Sequence, residues 1–174
     1  MRLTRWTDYS LRVLMFCAAC AQRQQPPTIS EIAQAHGISR SHLTKIVMTL
    51  AAAGLLETTR GRGGGLRLLK PAHAIVLGDV VRLTETDFRL VECFDAAHNT
   101  CRLSGYCRLK GALREAMAAY LQVLDGTTLA DLLDLPGLPA DGLHAQPAAD
   151  APAAGEAPRG TDGSTFLRKV TESR

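Results

Sequence analysis

The chain has no run of about 20 apolar residues, the length that a membrane-spanning helix requires. Its longest candidate, LRVLMFCAACA at residues 11–21, follows the basic opening MRLTR in the manner of a secretory signal. Arg12 interrupts that run and Asp8 precedes it, so it reads as an amphipathic first helix, with no membrane partner expected. An even number of cysteines is also lacking. Five is an odd number for a secreted disulfide framework, which points to reduced thiols and a cytoplasmic protein. The glycine-rich stretch at residues 61–65 has neither the Lys-Ser or Lys-Thr pair nor the following helix of a phosphate-binding loop. Aromatic residues are scarce at 5%, while the 46% apolar and 21% charged fractions are ordinary for a globular chain.

Charge is unevenly spread. Residues 1–90 hold 12 Lys and Arg against 6 Asp and Glu, whereas the remainder holds 8 against 11. The basic half is where a polyanion would bind. At 174 residues there is room for one domain plus extensions.

The expected fold is mainly α with a small β-hairpin wing: a winged helix-turn-helix followed by a long dimerisation helix. Thr7 is a candidate cap for a first helix from Asp8 to about Ala21, and RQQPP then breaks it. Ser30 is a candidate cap for a short second helix, Gly37 permits a left-handed turn, and Ser39 caps a third helix with Leu43, Ile46, Val47 and Leu50 inward. LLETTRGRGGGLRLLK reads as two short strands around a glycine-rich tip. These elements, with a covering helix in AIVLGDVVRLTE, make up a DNA-binding domain over residues 1–90. A cysteine loop occupies 91–108. The stripe Leu109, Leu113, Met117, Tyr120, Leu121 and Leu124 then defines a helix within 109–135 whose economical partner is a second subunit. Thr128 is placed to cap a short C-terminal helix, LADLL, and a tail over 136–174, poor in large apolar residues, is expected to be disordered.

In a helix-turn-helix the second helix enters the major groove. Its candidate DNA contacts are Ser39, Arg40, Ser41, His42, Thr44 and Lys45, with Arg60, Arg62 and Arg67 on the wing reaching the backbone or a narrow minor groove. The partner implied by both elements is double-stranded DNA.

Cys93, Cys101 and Cys107 are separated by seven and five residues, a poor match for the closely paired ligands of zinc fingers. Three thiolates on a loose loop suit an iron–sulfur cluster completed by a ligand of another kind. A zinc site completed by His98, buried thiols and a reversible thiol switch stay open on spacing alone. Cys17 and Cys20 form CAAC, which invites a thiol oxidoreductase reading. The pair lies late in a helical segment with no strand before it, so packing is expected and no enzyme activity.

The opening MRLTRWTDYSLRVLM, the reading unit ISEIAQAHGISRSHLTKIV, the wing RGRGGGLRL, GDVVR, the three-cysteine loop and LADLL together resemble the NsrR-type nitric-oxide-sensing repressors. These belong to a winged-helix regulator family that also contains IscR and RirA. The resemblance, over about residues 1–135, implies a 4Fe-4S cluster on Cys93, Cys101 and Cys107. It also implies Asp8 of the other subunit as fourth ligand, with His98 a competing candidate. It further implies a homodimeric repressor on a palindromic operator that releases DNA when nitric oxide nitrosylates the cluster or the cluster is lost. IscR-type members carry a histidine three residues after the third cysteine, where this chain has Lys110. An iron-status regulator using the same cluster, or a winged-helix protein with structural zinc, are the alternatives.

Overall fold

The computed structural model describes residues 2–61, 63–103 and 105–133. Arg62 and the tail expected to be disordered lie outside the described residues.

The first helix, α1, spans Arg5–Ala19 and is capped by Thr4, whose hydroxyl accepts a hydrogen bond from the Thr7 amide at 3.3 Å. Thr7, suggested by the sequence as the cap, is fully buried in the first turn. The helix therefore starts one threonine earlier, because Thr4 holds the extended backbone that a cap needs.

A similar shift of cap occurs in α2, Ile29–His36. Thr28 rather than Ser30 caps it, because Glu31 lies three residues beyond Thr28 and completes a reciprocal capping box. Thr28 Oγ1 accepts from the Glu31 amide at 3.2 Å, and Glu31 Oε2 accepts from the Thr28 amide at 2.6 Å. Thr28→Ala is therefore expected to lower the unfolding free energy by about 1 kcal/mol, read from the urea midpoint, whereas Ser30→Ala should be close to neutral. The reverse order would overturn this cap assignment.

Gly37 ends α2 in the left-handed region, with φ of 63°, and turns the chain into α3, Arg40–Ala52. A side chain there would be strained, which is why glycine suits the turn. Ser39 caps α3 as expected, accepting from the His42 amide. Strands β1, Leu56–Thr59, and β2, Gly65–Leu68, pair antiparallel with Leu56 opposite Leu68 and Thr59 opposite Gly65. The wing is seated on the Pro26–Pro27 segment: the Leu66 amide donates to the Pro27 carbonyl at 2.8 Å. A Cβ on Gly65 would collide with both proline carbonyls, so this close approach requires glycine.

The covering helix α4, Leu77–Thr84, follows, and α5 runs over Arg108–Asp125. One core joins Val13, Leu14, Phe16 and Cys17 of α1 to Ile32 of α2 and to Leu43, Ile46, Val47 and Leu50 of α3. Leu56 and Leu66 of the hairpin, Val80 of α4 and Leu129 complete it. Leu129 arrives because the chain after α5 turns back: its amide donates to the Ile75 carbonyl, and Leu77 donates to Thr127.

Helix α5 rests on α4, where Arg82 makes a two-pronged ion pair with Asp125 at 2.5 and 2.8 Å. Of the α5 stripe, Met117 is buried and Leu113, Tyr120, Leu121 and Leu124 are half-buried, while Leu109 and, beside the stripe, Val123 are exposed. Thr128 and Asp131 exchange capping bonds at the start of LADLL, but the described residues 129–133 form turns rather than a helix.

Candidate DNA-reading face and thiol loop

Helix α3 is held by its apolar side, so its opposite side is left to solvent. Ser39, Arg40, Ser41, Thr44 and Lys45 are all exposed there, as are Arg60 and Arg67 on the wing. The structure gives these residues different freedom. The Thr44 hydroxyl donates to the Arg40 carbonyl at 2.8 Å, and an Arg67 guanidinium nitrogen donates to the Gln24 carbonyl at 3.2 Å. His42 is half-buried between α1 and α3, with its ring centroid 5.8 Å from that of Trp6 and 5.3 Å from that of Tyr9. Trp6 and Tyr9 thus brace the start of the third helix against the first. Sequence reasoning missed both, because contacts between helices leave no mark in the spacing of either one.

Asp8 lies between those two aromatics in the chain and is half-exposed on α1. Its carboxylate accepts from Arg12 Nε at 2.9 Å, one helical turn on. That pairing holds the acid on the surface of the helix, next to the brace.

The thiol loop is built differently. After α4 the described residues form only a short 3-10 turn, Glu92–Phe94, before Cys107 takes the N-cap position of α5. Side chains organise it in place of a backbone ladder. Arg89 pairs with both Asp87 and Asp95, and His98 Nδ1 lies 2.9 Å from Asp95 Oδ2. Hydrogen bonds from His98 and then from the Ala97 amide hold the Asp95 carboxyl below its usual pKa range, with a smaller contribution from Arg89. Glu92 accepts from both the amide and the hydroxyl of Thr100, which lowers its pKa in the same way. His98 is thus already committed to an acid in its own loop.

Cys93, Cys101 and Cys107 are free and half-buried. As donors, three thiols on one loop suit a thiolate-held cluster better than a hard cation. Among the described residues, no group of three or more His, Cys, Asp and Glu side chains is close enough together to hold a metal ion. The donor types therefore fit, while the described residues of the single chain do not gather three of them at one metal position.

The other two cysteines have a different environment. Cys17 and Cys20 are buried, at 3% and 1% exposure, and burial is the main cause that pushes the Cys17 thiol up to about 12. Thiolate is the reactive species. In cluster-free native protein at pH 8, iodoacetamide is expected to label Cys93, Cys101 and Cys107 and to spare Cys17 and Cys20, with mass spectrometry of peptides as the readout. Prompt labelling of the CAAC pair would restore the redox reading of that motif.

The model of the Rrf2 family, described as an iron-dependent transcriptional regulator, matches residues 3–135. The chain is 51% identical over 133 residues to the transcriptional regulator NsrR of Bacillus subtilis, covering 76% of this chain and 90% of that protein. Among solved structures it is similar to the oxidized form of CymR from Staphylococcus aureus, with a TM-score of 0.62 at 28% identity over 78% of this chain and 98% of that one. Likeness to IscR from T. potens has a TM-score of 0.59 at 25% identity, over 76% of this chain and 86% of that one. These relatives are regulators and share the winged-helix fold. No helix among the described residues is long and apolar enough to cross a membrane. With a reading helix, a wing and a match through residue 135, the chain belongs to the Rrf2 family of transcriptional regulators, as an NsrR-type member.

Proposed function

We propose that this regulator is a homodimeric cytoplasmic repressor that senses nitric oxide through an iron–sulfur cluster and releases a palindromic operator when the cluster is attacked or lost. The observation that carries the proposal is the contrast between its thiols. Two are buried in the core, while Cys93, Cys101 and Cys107 stay free and half-exposed between the winged helix and α5. They would hold the cluster, probed as 4Fe-4S, with Asp8 of the partner subunit as fourth ligand. Bound there, the cluster supplies iron that a small diatomic molecule can attack.

This chain's own residues supply the rest. A ligand on α1 next to Trp6 and Tyr9 is mechanically close to α3, because both aromatics touch His42. Dimer geometry sets the separation of two reading helices, and operator half-sites about 34–36 Å apart tolerate little change in it. The exposed Leu109 and Val123 of α5 leave apolar surface for a second subunit.

The test is anaerobic purification, iron and sulfide analysis, and titration of nitric oxide while binding to duplex DNA is followed. Iron and sulfide near four per cluster site, with binding lost as nitric oxide is added, support the proposal. Stoichiometric zinc, with binding indifferent to nitric oxide, overturns it. The iron-dependent description of the family model favours one second reading, an iron-status regulator. Release on iron chelation, with nitric oxide without effect, would select it.

A further inference from the structure

We infer that Met48, with the methyl group of Thr44, reads thymine in the operator through its C5-methyl group. The inference rests on the DNA-reading role of α3 and adds a specificity residue to it. Three observations carry it.

Met48 is 66% exposed, while Leu43, Ile46, Val47 and Leu50 of the same helix are all buried. It lies four residues beyond Thr44 and three beyond Lys45, so it shares their face of the helix. The polar groups around it are largely committed: the Thr44 hydroxyl donates to the Arg40 carbonyl, the Thr49 hydroxyl donates to the Lys45 carbonyl, and His42 is held by Trp6 and Tyr9. The Ser41 hydroxyl lies 3.4 Å from that of Ser39, so what remains on this face is Arg40 and Lys45 for hydrogen bonding, and an apolar pair one turn apart.

The thymine methyl is the apolar group that the major groove displays, and methyl-bearing side chains recognise it. Charge selects DNA over an apolar protein partner. Helix α3 carries Arg40 and Lys45 and no acidic residue, and Arg60 and Arg67 lie on the wing. A polyanion is drawn to such a surface.

The test begins with duplexes that the anaerobically purified wild-type protein selects from a random-sequence pool. Each thymine of the selected half-site is then replaced by deoxyuridine, which removes only the methyl group. At one or two positions the loss is expected to weaken wild-type binding about fourfold, the equilibrium value of one buried methyl. Met48→Ala should weaken binding to the thymine duplex by a similar factor and no longer distinguish thymine from uracil there, while Met48→Leu retains part of the discrimination. Its salt dependence should match wild type, since no phosphate contact is removed. Circular dichroism verifies folding, which the exposed position should spare.

Wild-type binding that ignores every thymine methyl overturns the inference, as does discrimination that survives in Met48→Ala. Met48→Ala with wild-type DNA affinity would assign the side chain to a protein contact instead. Failure of wild type to select any duplex would overturn the DNA-reading role itself, a result distinct from the others.

Discussion

On the proposed 4Fe-4S reading, Cys101→Ser protein purified without oxygen is expected to hold almost no iron or sulfide, against about four of each per cluster site in wild type. Cys101 is the middle thiol of the loop, and its amide is tied to the Asn99 side chain at 3.0 Å. Serine preserves that backbone bond but replaces a soft thiolate with a poor ligand for iron. Operator affinity should fall with the cluster. If the cluster-free dimer holds its reading helices at the required spacing in about one molecule in ten, the apparent Kd rises about tenfold. Residual binding should no longer respond to nitric oxide.

Asp8→Ala tests the proposed fourth ligand separately from the three thiols. Because Asp8 also pairs with Arg12 on the helix surface, its removal frees a guanidinium as well as a candidate ligand. An Asp8→Ala protein that keeps the wild-type absorption spectrum and nitric oxide response would remove Asp8 from the ligand set. Cys101→Ser protein that keeps full iron, sulfide and response would remove the cluster proposal altogether.

Phe16→Ala should give the largest loss of stability, about 3–5 kcal/mol for an aromatic truncated in a packed core. That is a large share of the roughly 5–15 kcal/mol that stabilises a typical domain. Phe16 is 1% exposed in the last turn of α1, and its ring meets that of His36 edge-on, with centroids 5.7 Å apart. Urea unfolding of cluster-free protein measures the change, and Leu11→Ala, at a half-buried position, provides a milder comparison. A loss below about 1 kcal/mol would show that the pocket collapses around the smaller side chain.

The same contact has a pH signature. Burial first, and then the Arg12 guanidinium, lowers the His36 pKa from its ordinary 6.5, while Asp8 opposes the shift. The unfolded chain therefore binds more protons than the native one once pH drops below that value, so stability declines on acidification through about 6.5. A slope that persists unchanged in His36→Gln would assign it to other groups.

Legibility differs along the chain for identifiable reasons. Leu43, Ile46, Val47 and Leu50 are all buried as their helical spacing implies, and Gly37 adopts the left-handed turn that its position suggests. The wing closes around its glycines as expected. At two helices the cap is not legible in the sequence, because TRWT and TIS each offer two hydroxyl residues and only the local hydrogen bonds choose between them. LADLL shows how a cap pair can form without a helix in the described residues that follow it.

Local chemistry alone is enough to establish the reading helix, the turn before it, the hairpin and the separation of the five thiols into two groups, since each depends on residues a few positions apart. Tertiary structure decides what distance along the chain cannot encode. It places His42 against Trp6 and Tyr9, Gly65 against two proline carbonyls, and Leu129 in a core formed mainly by residues before 81. It also leaves Met48 in solvent while its apolar neighbours on α3 are buried. The physical reason is common to all four: periodicity specifies which way a side chain faces on its own helix or strand, whereas packing of other elements decides what meets that face.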